Sequence, residues 1–312
     1  MTMGKSISKI ILSTFCLIIF GCRKDAKLIE GSIEQIDTIG YPGTYLGEFR
    51  FSSGSDVGWT GEHDGEYLYI ADTKNNRVQR FDKQNKVKDW WGYKIGELGF
   101  HTNDTTPDDS LHPSKIYAKN GHIYIAAELG SEYLLFKINT EGKLIYKLPI
   151  RITGFSTFCV DSKENVFVYN NDDIIKYNSN GELVTKFAGY GSEDGLLANK
   201  GYVIQIVIDD EDYVYAVDAG NSRIQKYDND GNFIKNWGLE IYLGYTPMDY
   251  FNNKLHLFEN EYLVEYDTDG ILLRKWKKKN LHGNQQVVVT DYKIYEPNQH
   301  DHIVNVYEYV KK

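Results

Sequence analysis

The sequence predicts an all-β protein, a six-bladed β-propeller whose ring is closed by an N-terminal strand completing the last blade. Three observations predict it. The composition favours strands, two internal segments match almost residue for residue, and weaker copies of them recur at blade-length spacing. Of the 312 residues, 41 % are apolar and 14 % aromatic, with 25 Tyr and only 6 Pro. Val, Ile, Tyr and Phe come in short runs, and such residues fit a pleated, half-buried surface.

The matched segments are Tyr69 to Asp82 and Tyr215 to Asp228, each followed by Trp-Gly, at Trp91-Gly92 and Trp237-Gly238. Each holds Asp-x-x-Asn-x-Arg, as Asp72, Asn75 and Arg77 and as Asp218, Asn221 and Arg223. The pattern of apolar strand, Asp-x-x-Asn-x-Arg, alternating strand and Asx-Gly turn resembles the NHL repeat, over about residues 32–310. It is also similar to six-bladed propeller lipoproteins of bacteria. The positions aligned with Asp72 are Glu128, Asn170, Asp218, Glu259 and Glu296, spaced 37 to 56 residues apart. One four-stranded blade takes ~40–50 residues, so six such positions mean six blades.

Within a blade, an apolar inner strand comes first and a turn with Asp and Glu leads to the second strand. A polar loop leads to the third, and Asn180-Gly181, Asp230-Gly231 or Asp269-Gly270 turns into the fourth. Asn and Gly tolerate the positive φ of tight hairpins. The last blade lacks a fourth strand after residue 309. Residues 32–39 alternate like a strand and are expected to fill that edge, which removes an open, aggregation-prone border.

The chain begins with an export signal. Lys5 and Lys9 precede the apolar run Ile10 to Phe20, which is too short to span a bilayer. Gly21-Cys22 follows, and this resembles the lipobox of bacterial lipoproteins, with a bulky Phe20 as its departure. The resemblance implies cleavage after residue 21 and lipidation of Cys22, and more than one acyl chain anchors a protein stably. Residues 22–31 are read as a tether and 32–312 as the propeller. Arg23-Lys24-Asp25 resembles signals that send some lipoproteins outward. The expected location is therefore the cell envelope at the outer membrane, with the cell surface left open. Cys16 leaves with the signal and Cys159, between Phe158 and Val160, is read as a small buried hydrophobe.

The net charge is −9. Loss of Lys5 and Lys9 leaves 33 basic against 44 acidic residues, near −11. Such a surface repels phosphate, so no nucleic-acid partner is expected. The basic run Arg274 to Lys279 has two readings, a contact for anionic headgroups or glycans and a solvated outer strand. The Asp-x-x-Asn-x-Arg loops also have two. Asp72, Asn75, Arg77, Asp218, Asn221 and Arg223 could form a ligand-binding rim, or they could build each repeat's own turn. The long loop Tyr93 to Pro113 is expected on the same face as the boxes and is a further candidate ligand loop through His101 and His112; with Asp104, Asp108 and Asp109 these could hold a metal or simply be solvated, and their spacing fits no metal motif.

No catalytic signature is present, and no cofactor or metal is assigned. The leading expectation is a non-catalytic binding module for a protein, peptide or glycan of the envelope. The alternative, implied by the resemblance, is a metal-dependent hydrolase or lyase holding Ca²⁺ or Zn²⁺ over the channel. Asp161 and Asp209 are its candidates, though they sit at the blade's other turn. The histidines, His63, His122, His256, His282, His300 and His302, are scattered. A third option is a structural subunit with an aromatic patch on an outer face.

Overall fold

The structure, a computed structural model, describes residues 29–51, 61–92, 111–129, 132–152, 156–170, 173–198, 204–240, 246–278, 287–291, 293–298 and 300–311. The segment expected to be a signal peptide, Cys22 and most of the 93–113 loop, His101 included, lie outside the described residues.

The first strand is β1 (Ile29–Ile39). Blade 1 holds β2 (Gly61–His63), β3 (Leu68–Asp72), β4 (Arg77–Phe81) and β5 (Val87–Gly92). Blade 2 holds β6 (Leu111–Lys119), β7 (His122–Leu129), β8 (Glu132–Asn139) and β9 (Leu144–Ile152). Blade 3 holds β10 (Thr157–Val160), β11 (Val166–Asn170), β12 (Asp173–Tyr177) and β13 (Leu183–Ala188). Blade 4 holds β14 (Ile206–Ile208), β15 (Val214–Asp218), β16 (Arg223–Tyr227) and β17 (Phe233–Gly238). Blade 5 holds β18 (Met248–Phe251), β19 (Lys254–Glu259), β20 (Tyr262–Asp267) and β21 (Leu272–Lys278). Blade 6 holds β22 (Val288–Val289), β23 (Ile294–Asn298) and β24 (Ile303–Lys311), with β1 as its outer strand.

Blades 1 to 4 are separate four-stranded sheets, and blades 5 and 6 share an eight-stranded one. The join is β1. It pairs antiparallel with β24, Gly31 opposite Lys311 and Ile39 opposite Val304, and parallel with β21 from Ile29↔Arg274 to Ile33↔Lys278. The expected ring closure is therefore present. It begins at Ile29, so residues 29–31 belong to the strand rather than to a tether. At the other end β23 runs on to Asn298. The hairpin residue that corresponds to Asp72 is therefore Asn298, which pairs with Ile303, and Glu296 sits mid-strand.

Packing counts the blades independently. Six apolar clusters lie one at each blade interface: Trp91 with Ile125 between blades 1 and 2, Leu148 with Phe158 between 2 and 3, and Phe167 with Tyr227 between 3 and 4. Tyr215 with Leu257 fills the gap between blades 4 and 5, Trp276 with Ile294 that between 5 and 6, and Val304 with Ile70 that between 6 and 1. Cys159 is buried among Phe167 and Ile206, as its apolar neighbours suggested.

The turns explain the recurring polar residues. Asp228 Oδ1 accepts from the backbone N–H of Asp230 and Asn232, and Gly231 follows at φ 90°. Asp267 Oδ1 does the same for Asp269 and Ile271, with Gly270 at φ 80°. A side chain there would strain the backbone and also meet the preceding blade. A Cβ on Gly231 would lie 2.5 Å from Phe187, and one on Gly270 would lie 2.4 Å from Trp237. The Trp of each Trp-Gly pair is thus a wedge over the next blade's turn.

Candidate functional site

The Asp-x-x-Asn-x-Arg boxes build the fold. In blade 1, Asp72 is fully buried. Its carboxylate accepts from Arg50 N at 2.7 Å, Asn75 Nδ2 at 2.9 Å, Arg77 Nε at 2.6 Å and Gln79 Nε2 at 3.1 Å. Arg77 and Gln79 donate onward to Glu48 O, and Asn75 to Gly43 O. In blade 4 the pattern repeats. Asp218 accepts from Ala198 N at 2.8 Å, Asn221 at 2.9 Å, Arg223 at 2.8 Å and Gln225 at 3.1 Å. Arg223 and Gln225 donate to Leu196 O, and Asn221 to Gly191 O. The boxes therefore clamp the incoming loop onto the blade. Their donors and acceptors meet one another and the incoming loop, which is the arrangement that the turn-building reading expects. The fourth polar member, Gln79 or Gln225, was not singled out in the sequence, although it repeats with the box.

Other candidates are placed differently from expectation. His112 lies in β6 opposite Glu128, not in a loop, and its Nδ1 is 3.4 Å from Thr73 O. Asp161 and Asp209 are buried and hold the turns after β10 and β14. Asp161 accepts from Lys163 N and Asn165 N, and Asp209 from Glu211 N, Tyr213 N and the Tyr215 hydroxyl. Along the basic run, Arg274 pairs with Glu265 at 3.0 Å, Lys275 with Glu240 at 3.3 Å, Lys277 with Glu261 at 3.1 Å and the buried Lys278 with Glu296. These four cations of the run are thus paired within the protein, and Lys279 lies outside the described residues. Exposed Tyr41 and Tyr45 precede blade 1, whereas Tyr190 precedes blade 4, across a six-fold ring. Among the described residues no three His, Cys, Asp or Glu side chains gather as a metal site would need.

The ring axis holds a cavity of about 400 Å³. Five inner strands line it, with Glu62 from β2, Lys115 and Tyr117 from β6, Thr157 from β10, Gln205 just before β14 and Asp249 from β18. Gly65, Gly121 and Asn252, from the turns between first and second strands, border the same cavity. It therefore opens on the face opposite the boxes. Antiparallel alternation fixes one more feature of this face. First and third strands both run toward it, and β1 begins opposite the end of β24, so β1 starts there too.

Ionisable groups in this channel sit far from their ordinary behaviour. Burial raises the Glu62 carboxyl well above the usual carboxylate range, and the Asp249 charge adds to it. Burial pushes Asp249 up to about 7, although its carboxylate accepts from Val289 N at 2.7 Å. Lys115, only 6 % exposed, is lowered to about 7 by burial. Strongly shifted titrations in a cavity mark functional candidates. None of these residues was selected from the sequence. The signal was a polar residue in or beside five of the inner strands, which is visible only once those strands are known to line one cavity.

No family model matches the chain, and no curated protein matches it either. Solved structures do. A protein of unknown function from Bacteroides thetaiotaomicron VPI-5482 aligns over 89 % of this chain and 77 % of its own, at TM-score 0.57 and 11 % identity. A streptogramin B lyase aligns over 86 % and 88 %, at TM-score 0.55 and 14 % identity. The WD40 domain of Neurospora crassa Pan2 aligns over 90 % and 96 %, at TM-score 0.52 and 11 % identity. At such identities the likeness establishes the β-propeller fold and nothing about activity.

Proposed function

We propose that this chain is a lipid-anchored propeller of the NHL-repeat kind at the outer membrane, and that it binds a ligand in its central channel without transforming it. The observation that carries the reading is the cavity lined by Glu62, Lys115, Thr157, Gln205 and Asp249 from five blades. A rigid ring keeps such groups apart from water and from one another at little cost in motion, which favours selective binding. The hydrogen bonds that Asp72 and Asp218 accept within their own blades and loops support the structural reading of the boxes. An anchor at Cys22 would enter β1 on the channel-mouth face and hold that mouth toward the bilayer. The observation that would favour a metal-dependent hydrolase or lyase, donors converging from three or more blades, is absent among the described residues.

The test is retention of small molecules. Purified full chain is equilibrated with an extract of envelope metabolites, washed, and its bound fraction identified by mass spectrometry. A molecule enriched by the native protein and lost in the E62Q/D249N double variant supports the reading. Equal enrichment by both proteins contradicts it.

A further inference from the structure

We propose that Asp249 and His256 form an acid–base dyad in the channel wall, holding one proton between the Asp249 carboxyl and His256 Nδ1. The dyad rests on the reading that the channel binds a ligand, and it lets one wall group meet that ligand as a neutral acid or as a carboxylate. Three observations lead to it.

The first is a departure from the repeat. On the face that each blade turns to the next, the second strand carries an aromatic ring: Tyr69, Tyr124, Phe167 and Tyr215 in blades 1 to 4 and Tyr295 in blade 6. Arg80, Lys137, Lys176 and Lys226 stand opposite the first four on the third strand. The three ammonium groups lie 5.7, 5.4 and 5.2 Å from their ring centres. Blade 5 has His256 and Glu265 at the same two positions. Five blades solve the packing with an aromatic ring, so packing does not call for His256.

The second is a polar row. Asp249, His256, Glu265 and Arg274 are successive cross-strand partners on β18, β19, β20 and β21. Residues directly opposed on antiparallel strands share a face, with Cβ atoms ~4.5–5.5 Å apart. That face looks toward blade 6. Asp249 accepts from Val289 N there, and Trp276, in the cluster between blades 5 and 6, donates to Glu265 at 3.2 Å. Acid and base alternate from the channel to the outer strand. The third is the state of the ring. His256 is 4 % exposed, and its Nε2 lies 3.3 Å from Phe251 O. A carbonyl only accepts, so Nε2 carries the hydrogen of the neutral ring and Nδ1 presents a lone pair. That lone pair has no hydrogen-bond partner among the described residues, whereas buried polar atoms are ordinarily satisfied. Asp249, one strand away, holds the proton that satisfies it.

The surroundings keep the pair to a single proton. Burial pushes Asp249 up to about 7 and His256 down to about 4, with Lys254 and Arg274 adding to the second effect. Between those values the two residues share one proton. On the channel side Asp249 acts on Glu62, which Lys119 also influences, and on Tyr117. Toward blade 6, Asp249, Glu265 and Arg274 all act on Tyr309. When the proton passes inward, the Asp249 O–H bond breaks and the His256 Nδ1–H bond forms. Asp249 becomes a carboxylate, and the imidazolium stands between Asp249 and Glu265. Solvent gives up and receives nothing. His256 is therefore a positioning residue that acts through Asp249, the member of the pair that lines the channel.

NMR titration of the purified full chain, with ¹⁵N in its histidine rings and ¹³C in its aspartate carboxyls, tests this without any ligand. Signals are assigned through the backbone, and the melting point of D249N establishes that the variant is folded. Expected is a His256 ring that keeps its Nε2 hydrogen from pH 8 to pH 5. Its Nδ1 signal should move upfield with a midpoint near 7, shared with the Asp249 carboxyl, and folded D249N should lack the step. The shared midpoint is read in the native protein and does not depend on the variant. A hydrogen on Nδ1 in place of Nε2 at pH 8, full protonation of the ring near its ordinary value of ~6.5, or an Nδ1 signal that ignores the Asp249 step overturns the dyad. So does a step that persists in folded D249N. These outcomes leave the channel reading standing, which fails separately, on equal ligand retention by the native protein and E62Q/D249N.

Discussion

Asp218 shows how one side chain can decide a blade. It is buried, and its two oxygens answer a backbone N–H and three side-chain donors within 3.1 Å. Removing its charge leaves Arg223 without its main partner in a buried network, and such losses cost about 3 kcal/mol. Asp218→Asn is therefore expected to lower stability by roughly that amount, read from the midpoint of urea unfolding. The channel residues behave in the opposite way. Asp249 has a folded pKa raised to about 7. Above that pH its charge burdens the folded state, and below the unfolded value, ~4, both states are protonated and the burden vanishes. Asp249→Asn should stabilise the fold at pH 8 by about 1–2 kcal/mol, after allowance for its partial exposure, and have no effect near pH 4. Paired urea titrations at the two pH values check the sign. The sequence displayed Asp218 and its repeat Asp72 openly because the box is local. It hid Asp249 because its companions, Glu62 and Lys115, are distant in the chain.

At the scale of elements, the ring is closed by β1, a strand that comes from the other end of the chain. A Cβ on Gly31 would lie 2.2 Å from the Trp276 ring, so β1 can settle against blade 5 only with glycine there. The contact repeats the Trp237-over-Gly270 wedge between blades 4 and 5. Gly31→Ala should overpack this joint and cost about 1–3 kcal/mol, seen as a lower thermal midpoint. Hydrogen exchange should localise the loosening to β1, β21 and β24. The alternation of residues 32–39 and the missing fourth strand made β1 legible in advance. Its start at Ile29 and its parallel pairing with β21 were not legible, because they depend on how blades 5 and 6 twist against each other. The entry of His112 into β6 was missed for a related reason. Pro113 ordinarily argues against a strand, and the register shift between Pro113 and Lys115 accommodates it.

For the molecule as a whole, the two faces differ in kind. One carries the clamped boxes. The other carries the channel mouth and the start of β1. From Cys22 to Ile29 the chain can reach at most about 25 Å, at ~3.3–3.6 Å per residue. Lipidated at Cys22, the protein would hold its channel mouth within that distance of the bilayer. Cys22→Ala should move it from the membrane to the soluble fraction after cell breakage, measured by immunoblotting. Six blades were countable from repeats because each blade must solve the same turn and packing problems. The shared axis was not countable, since its polar residues come from five inner strands of which no two are adjacent in sequence. The central claim is that function lies in the channel and structure in the boxes. The most direct test measures ligand retention and melting point together for the E62Q/D249N and D218N variants. The channel variant is expected to lose its ligand with a melting point that is not lowered, and D218N to keep its ligand at a lower melting point. Retention by the channel variant, with loss in a D218N protein that is still folded, would contradict it.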